Sequence, residues 1–263
     1  MIMAGALGGA LLLLAAPASG SLPPEPPPSA ATQIDFAPPV GREMTYHVTT
    51  RRLGRDGALI SFSLVYALQW QRAGRGYQLA ATLQRIESDA PPEVLRLLSS
   101  ALQPLVGETL TYLVAPDGRH VDMIDSDGLW ERVAERTQAL AAGADQPEAR
   151  KLGAMLAALP AEERRRQASA EIRALVALAN PDIPVAGGVR QDGAVRTIVT
   201  AEREILPIGE GARPLEVDNR WTIDTTTGLV LSEQRQSWIV EPGSKSRTLV
   251  EERMRVLHPG TNE

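Results

Sequence analysis

Apolar side chains recur at every second position through Ile60, Phe62, Leu64, Tyr66, Leu68 and Trp70, with Ser61, Ser63, Ala67 and Gln69 between them. Successive side chains of a strand point to opposite sides of its sheet, so this pattern predicts a strand with one dry face and one small or polar face. Met44 to Val48 and Tyr77 to Leu83 alternate likewise, and the separators Gly54-Arg55-Asp56-Gly57 and Ala73-Gly74-Arg75-Gly76 are rich in turn-forming glycine. An antiparallel meander of three strands from Gly41 to Ser88 follows. Between Leu83 and Ile86 the parity of apolar positions slips, which marks a bulge or the strand's end.

Helical periodicity then takes over. Asp89 before Pro91-Pro92-Glu93 is a helix start, and Val94, Leu98, Ala101, Leu102 and Leu105 share one face until Pro104 to Gly107 stops the run. Leu110, Tyr112 and Val114 predict a strand, Pro116-Asp117-Gly118 a turn, and Arg119 to Asp125 the returning strand. Ser126 opens a helix carrying Leu129, Trp130, Val133, Thr137 and Leu140, which Gly143 ends. Asp145 with Glu148 caps a second helix lined by Leu152, Leu156 and Leu159. Pro160-Ala161-Glu162-Glu163 opens a third, with Ala168, Ile172, Leu175, Val176 and Ala179 inward and Arg164, Arg165 and Arg166 on the solvated side. Asn180 to Pro184 breaks the helices, and Gly187-Gly188 loosens the connection to four more strands: Val195–Leu206, Leu215–Asp224, Leu229–Val240 and Ser246–Leu257.

Short turns demand antiparallel neighbours, and a sheet of about nine such strands must twist and curl. Apolar helix stripes need burial, and the concave side offers it. The expected fold is α+β: a large curved antiparallel sheet, a half-barrel of about nine strands, with several helices packed on its concave side. Between helix and sheet lies either a solid core or an apolar pocket.

The amino-terminal region changes where this domain is expected to act. Residues 1–18 combine an apolar run centred on Leu11 to Leu14 with Ala16-Pro17-Ala18, the features of a signal peptide. No Lys or Arg precedes that run. Residues 19–40 hold seven prolines and read as a disordered tether, residues 41–258 as a single domain and 259–263 as a tail. The chain has no cysteine, so neither a disulfide nor a lipid-modified cysteine forms. The expectation is a periplasmic or secreted protein of a Gram-negative bacterium, with no transmembrane segment in the mature chain.

Composition narrows the chemistry. A net charge of -5 disfavours a nucleic-acid partner. His47, His120 and His258 are scattered, one per strand or tail, and read as surface residues, although strand histidines can converge. Asp122, Asp125 and Asp127 before Gly128 resemble part of a calcium loop, but Met123 occupies its required first aspartate and Ala134 its twelfth position. Asp125 or Ser126 as a helix cap explains the acids better. No nucleophile elbow, Walker loop or zinc-protease motif occurs, so no catalytic residue, metal site or cofactor is assigned.

The element order resembles the half-barrel lipoprotein- and lipid-carrier group that includes the periplasmic carrier LolA and the LppX type of lipid binder. Hairpin phrases Val114-Ala115-Pro116-Asp117-Gly118-Arg119 and Trp221 to Val230 look like those of uncharacterised exported proteobacterial proteins of this architecture. The resemblance implies an apolar cavity beneath the helices that shields an acyl chain. The long proline tether and the helices placed between sheet segments depart from that pattern, so no cargo carries over.

The reading is a non-enzymatic periplasmic binding protein for an apolar ligand, a lipid or lipoprotein acyl chain. Its pocket candidates are Phe62, Tyr66, Trp70, Leu98, Leu102 and Trp130. The alternatives are an envelope structural or protein-interaction module with a fully packed core, and a hydrolase working through paired carboxylates.

Overall fold

The computed structural model describes residues 34–54, 57–92, 95, 102–143, 160–176, 188–208, 211–241 and 246–259. The meander forms as the alternation predicts: β1 (Glu43–Leu53), β2 (Leu59–Ala73) and β3 (Gly76–Ser88). The β2–β3 turn has two residues, and Gly74 adopts a φ of +58°, a conformation that favours glycine over any residue with a Cβ. The parity slip is a bulge. Val65 pairs with Arg85 and Tyr66 with Leu83, leaving Gln84 as the extra residue, and β3 continues to Ser88.

The chain then supplies a short 3-10 turn (Gln103–Leu105), β4 (Thr109–Val114), β5 (Val121–Ile124), α1 (Ser126–Gly143), α2 (Ala161–Val176) and β6 to β10. The last five strands are β6 (Gly188–Asp192), β7 (Val195–Ile208), β8 (Gly211–Asp224), β9 (Val230–Val240) and β10 (Arg247–Pro259). All pair antiparallel in one open sheet ordered β5-β4-β3-β2-β1-β10-β9-β8-β7-β6. The sheet has ten strands, one more than the sequence pattern predicts, and the addition is the edge strand β6, whose five residues are all exposed.

The expectation of several helices is corrected to two among the described residues. Most of the helix predicted over 91–105, and that over 145–159, lies outside the described residues. No described helix is long and apolar enough to cross a membrane.

Register sorts the side chains. Tyr46, Tyr66 and Leu257 stand opposite one another on β1, β2 and β10, so they share a face with Leu68, Trp70, Leu79 and Tyr112. Ile172, Leu175 and Val176 of α2 close over this face and join its buried cluster. Arg173 donates to the carbonyl of Val121 on β5, while Glu171, two residues earlier, pairs with Arg255 on β10. A flat sheet would hold those strands about 24 Å apart, more than twice a helix's width, so the sheet curls around α2. A second cluster, Ile34, Ile198, Trp221, Ile223 and Val230, fills the β7–β9 half.

The last residues of the 19–40 stretch lie against the domain. Phe36 packs edge-on to Trp70 and Tyr77, the Ala37 amide donates to Thr227 at 2.9 Å, and Val40 bridges to Trp70. At the other side, α1 seats Leu129 and Val133 inward. Arg132 and Arg136 both reach the buried Glu108, which ties α1 to the start of β4. The backbone carbonyl of Asp125, a residue at a φ of +55°, accepts the Leu129 amide as the first backbone hydrogen bond of α1, while its carboxylate accepts from Arg132.

Candidate functional site

The concave face changes character along the strands. At its centre Leu68, Trp70 and Leu79 are fully buried, so sheet and α2 meet there in a solid core. One turn further along, the same face carries charge. Arg253 and Arg255 of β10 both donate to Glu171 of α2, Arg255 also donates to Glu233 at 2.6 Å, and Tyr46 donates to the Glu171 carbonyl. Buried charges persist only when paired, and Glu171 serves two guanidiniums at once. Burial pushes the Tyr46 phenol well above its usual range and that of Tyr66 up to about 12, so both stay neutral donors. Burial, reinforced by the neighbouring Arg255, lowers the Arg253 guanidinium to about 10, which leaves it cationic at neutral pH.

Beyond this band the face opens into a cleft of about 420 Å³ at the end of the β1–β2 hairpin. Leu53, Ile60 and Phe62 form its apolar part; Arg52, Glu251 and Arg253 supply charge, and Thr50 and Gly54 complete the wall. Strand pairing creates this arrangement, because Arg52 stands opposite Ile60, Thr50 opposite both Phe62 and Arg253, and Arg52 opposite Glu251. Arg52 donates from Nε to Glu251 at 2.8 Å near the surface. A second cavity, about 530 Å³ between β5 and α2, is walled by Asp122, Glu162, Arg166, Ser169 and Arg173 with Val121 and Met123 and is mostly polar.

The sequence candidates separate. Phe62 lines the cleft. Tyr66 lies deeper on the same face, its ring 6.4 Å from that of Tyr46. Trp70 is sealed in the core. Leu102 precedes the 3-10 turn, Trp130 is half-buried in α1, and Leu98 lies outside the described residues. Sequence reasoning missed Leu53, Arg52, Glu251 and Arg253. Their signal was parity: Glu251, Arg253 and Arg255 alternate in step with Leu257, which places charge on the apolar face.

Two histidines do converge, on the opposite face. His47 and His258 sit at diagonal positions of β1 and β10 with ring centroids 5.2 Å apart. Partial burial and then His258 lower the His47 pKa. His120 lies apart, in the turn before β5, and among the described residues no group of three or more metal-ligating side chains forms.

No protein-family model matches this chain, and no curated protein matches it.

Proposed function

We propose that the protein is an exported, non-enzymatic binding protein for an apolar ligand, and that the ligand's chain lies in the cleft at the end of the β1–β2 hairpin. The observation carrying this reading is a cavity of about 420 Å³ floored by Leu53, Ile60 and Phe62. Ligand sites are concave, largely apolar, and begin near 300 Å³, so the cleft is of ligand size while the core behind it is full. The open, curled antiparallel sheet with a helix in its concavity supports the half-barrel carrier reading at the level of architecture.

The test is native mass spectrometry of the mature protein from its own host, together with titration of a fluorescent fatty-acid probe. One bound ligand per chain is expected, and Phe62→Ala should weaken probe binding about tenfold, since it removes a large buried contact. A bare mass combined with no probe uptake overturns the proposal. That outcome favours the envelope-module alternative, which the solid packing around Trp70 supports.

A further inference from the structure

We propose that His47 and His258 form a binding site for a divalent transition-metal ion of the zinc and nickel type, which clips β1 to β10 across the middle of the sheet.

Long-range pairing makes the site. The β1–β10 ladder joins the strands before the helices to those after them, since the order runs β5-β4-β3-β2-β1-β10-β9-β8-β7-β6. Thr45 stands opposite His258 and His47 opposite Val256, so the two imidazoles occupy diagonal positions on the face away from α2. Their ring centroids lie 5.2 Å apart. Two imidazoles on one tetrahedral ion, each with a metal–nitrogen distance of about 2.1 Å, hold their ring centres about 5 Å apart. The strands therefore already set the spacing of a chelate. The rings meet edge-on, at 84°. The terminal torsion of a histidine is broad, so turning the rings aims one nitrogen of each at a shared point without moving either strand.

The surroundings suit an ion. Neither imidazole has a hydrogen-bond partner among the described residues, so the ring nitrogens are open to a ligand. His258 is exposed and His47 half-buried, and Thr45, Thr49 and Ser63 keep the face polar, which lets water complete the coordination shell. Arg85 and Glu87, the charged side chains that bear on His47, pair with each other at 2.6 Å and add no net repulsion. The chain offers no thiolate, and imidazole suits zinc and nickel, whereas magnesium and calcium take oxygen ligands. Because the two histidines stand about two hundred positions apart in the chain, the pair exists only once β1 and β10 are joined, and an ion held there favours the folded state.

The experiment titrates the untagged mature chain with zinc chloride and, separately, with nickel chloride by isothermal calorimetry at about pH 7.5, where an ordinary histidine is mostly neutral. One ion per chain is expected, and no binding of magnesium. His47→Gln and His258→Gln should each weaken binding at least tenfold, since even the loss of a ligand's outer-shell partner costs about that much. His120 lies apart, in the turn before β5, and His120→Gln should bind as the wild type does. Zinc should raise the thermal midpoint of the wild type and of His120→Gln, and leave the other two variants unchanged. Midpoints measured in EDTA separate loss of the ion from loss of folding, and the exposed position of His258 keeps its variant folded. Saturable binding that survives both His47→Gln and His258→Gln, or that falls as far in His120→Gln, overturns the site. So does the absence of saturable binding of either ion to the wild type.

Discussion

Arg255 donates its Nε–H to Glu171 at 2.7 Å, and this one contact fastens the middle of the curled sheet to the helix inside it. Both side chains are largely buried, and the Arg255 Nη1 is taken up by Glu233. Removing Glu171 strands one guanidinium: Arg255 keeps Glu233, while Arg253 loses its ion-pair partner among the described residues. We expect Glu171→Ala to destabilise the protein by about 3 kcal/mol, the cost of leaving a buried charge uncompensated. Urea unfolding with an unchanged m-value reads this directly. A loss below about 1 kcal/mol would mean that the contact is a surface pair in solution and does not hold α2 in place.

Trp70 tests whether the centre of the concave face is core or pocket. Its ring is fully buried and lies 5.6 Å from Phe36 and 6.3 Å from Tyr77, in edge-on contact with both. Trp70→Ala should cost about 3 to 5 kcal/mol, as large-to-small changes in a packed interior do. Trp70→Phe should cost much less, since the indole Nε1 has no hydrogen-bond partner to lose. Thermal unfolding of both variants, with and without fatty acid, makes the comparison. Were the alanine variant nearly as stable as the wild type, the tryptophan would be lining a void.

Gly228 tests the seating of residues 34–40. It has a φ of +72°, and a Cβ there would come within 2.8 Å of the Asp35 carbonyl. Gly74 has a similar φ of +58° but open space around it. Alanine at Gly74 should cost about 1 kcal/mol of backbone strain alone. At Gly228 the same strain is joined by displacement of Asp35 and Phe36, so the loss should be clearly larger and cleavage near Phe36 faster in limited proteolysis. Equal losses at the two sites would show that Phe36 and its neighbours contribute nothing to stability.

These contrasts show what was legible before folding. The alternation of Ile60 to Trp70 reports which side chains share a face, although only Leu68 and Trp70 of that stripe are buried and Val65 of the other face is buried as well; the slip after Leu83 reports the bulge, because both depend only on parity along one strand. The inner face of α2, Ile172 with Leu175 and Val176, follows from helical spacing in the same way. β6 was not legible, since Gly188 to Asp192 is exposed on every residue and no periodicity separates it from a loop. The cleft was half legible. Phe62 belongs to an apolar stripe, whereas Arg253 becomes a cleft residue only once β10 pairs with β1 and sets it opposite Thr50. That pairing joins residues about two hundred positions apart, so local pattern holds no record of it. Likewise, His47 and His258, far apart in sequence, meet because the same long-range pair of strands brings them together.

Glu252 is a buried carboxylate whose titration contributes to acid sensitivity. It lies buried on the face opposite the cleft, where its carboxylate accepts from Gln234 at 2.8 Å, Gln236 at 2.7 Å and Arg51 at 2.9 Å. Burial by itself would raise its pKa, but these donors outweigh burial and hold it below the ordinary value of 4.5. A depressed carboxyl binds fewer protons in the folded state than in the unfolded one. Its contribution is therefore fully present above about pH 4.5 and is lost as pH falls through the folded value. Glu252→Gln removes the titration and the acceptor charge that strengthens the three bonds from Gln234, Gln236 and Arg51, so the variant should be less stable than the wild type at pH 7 by about 1 to 3 kcal/mol. Below pH 4.5 the two should converge, with the wild-type curve falling more steeply. Urea midpoints at pH 7, 5, 4 and 3 measure both slopes, and parallel curves across that range would remove Glu252 from the account of acid unfolding.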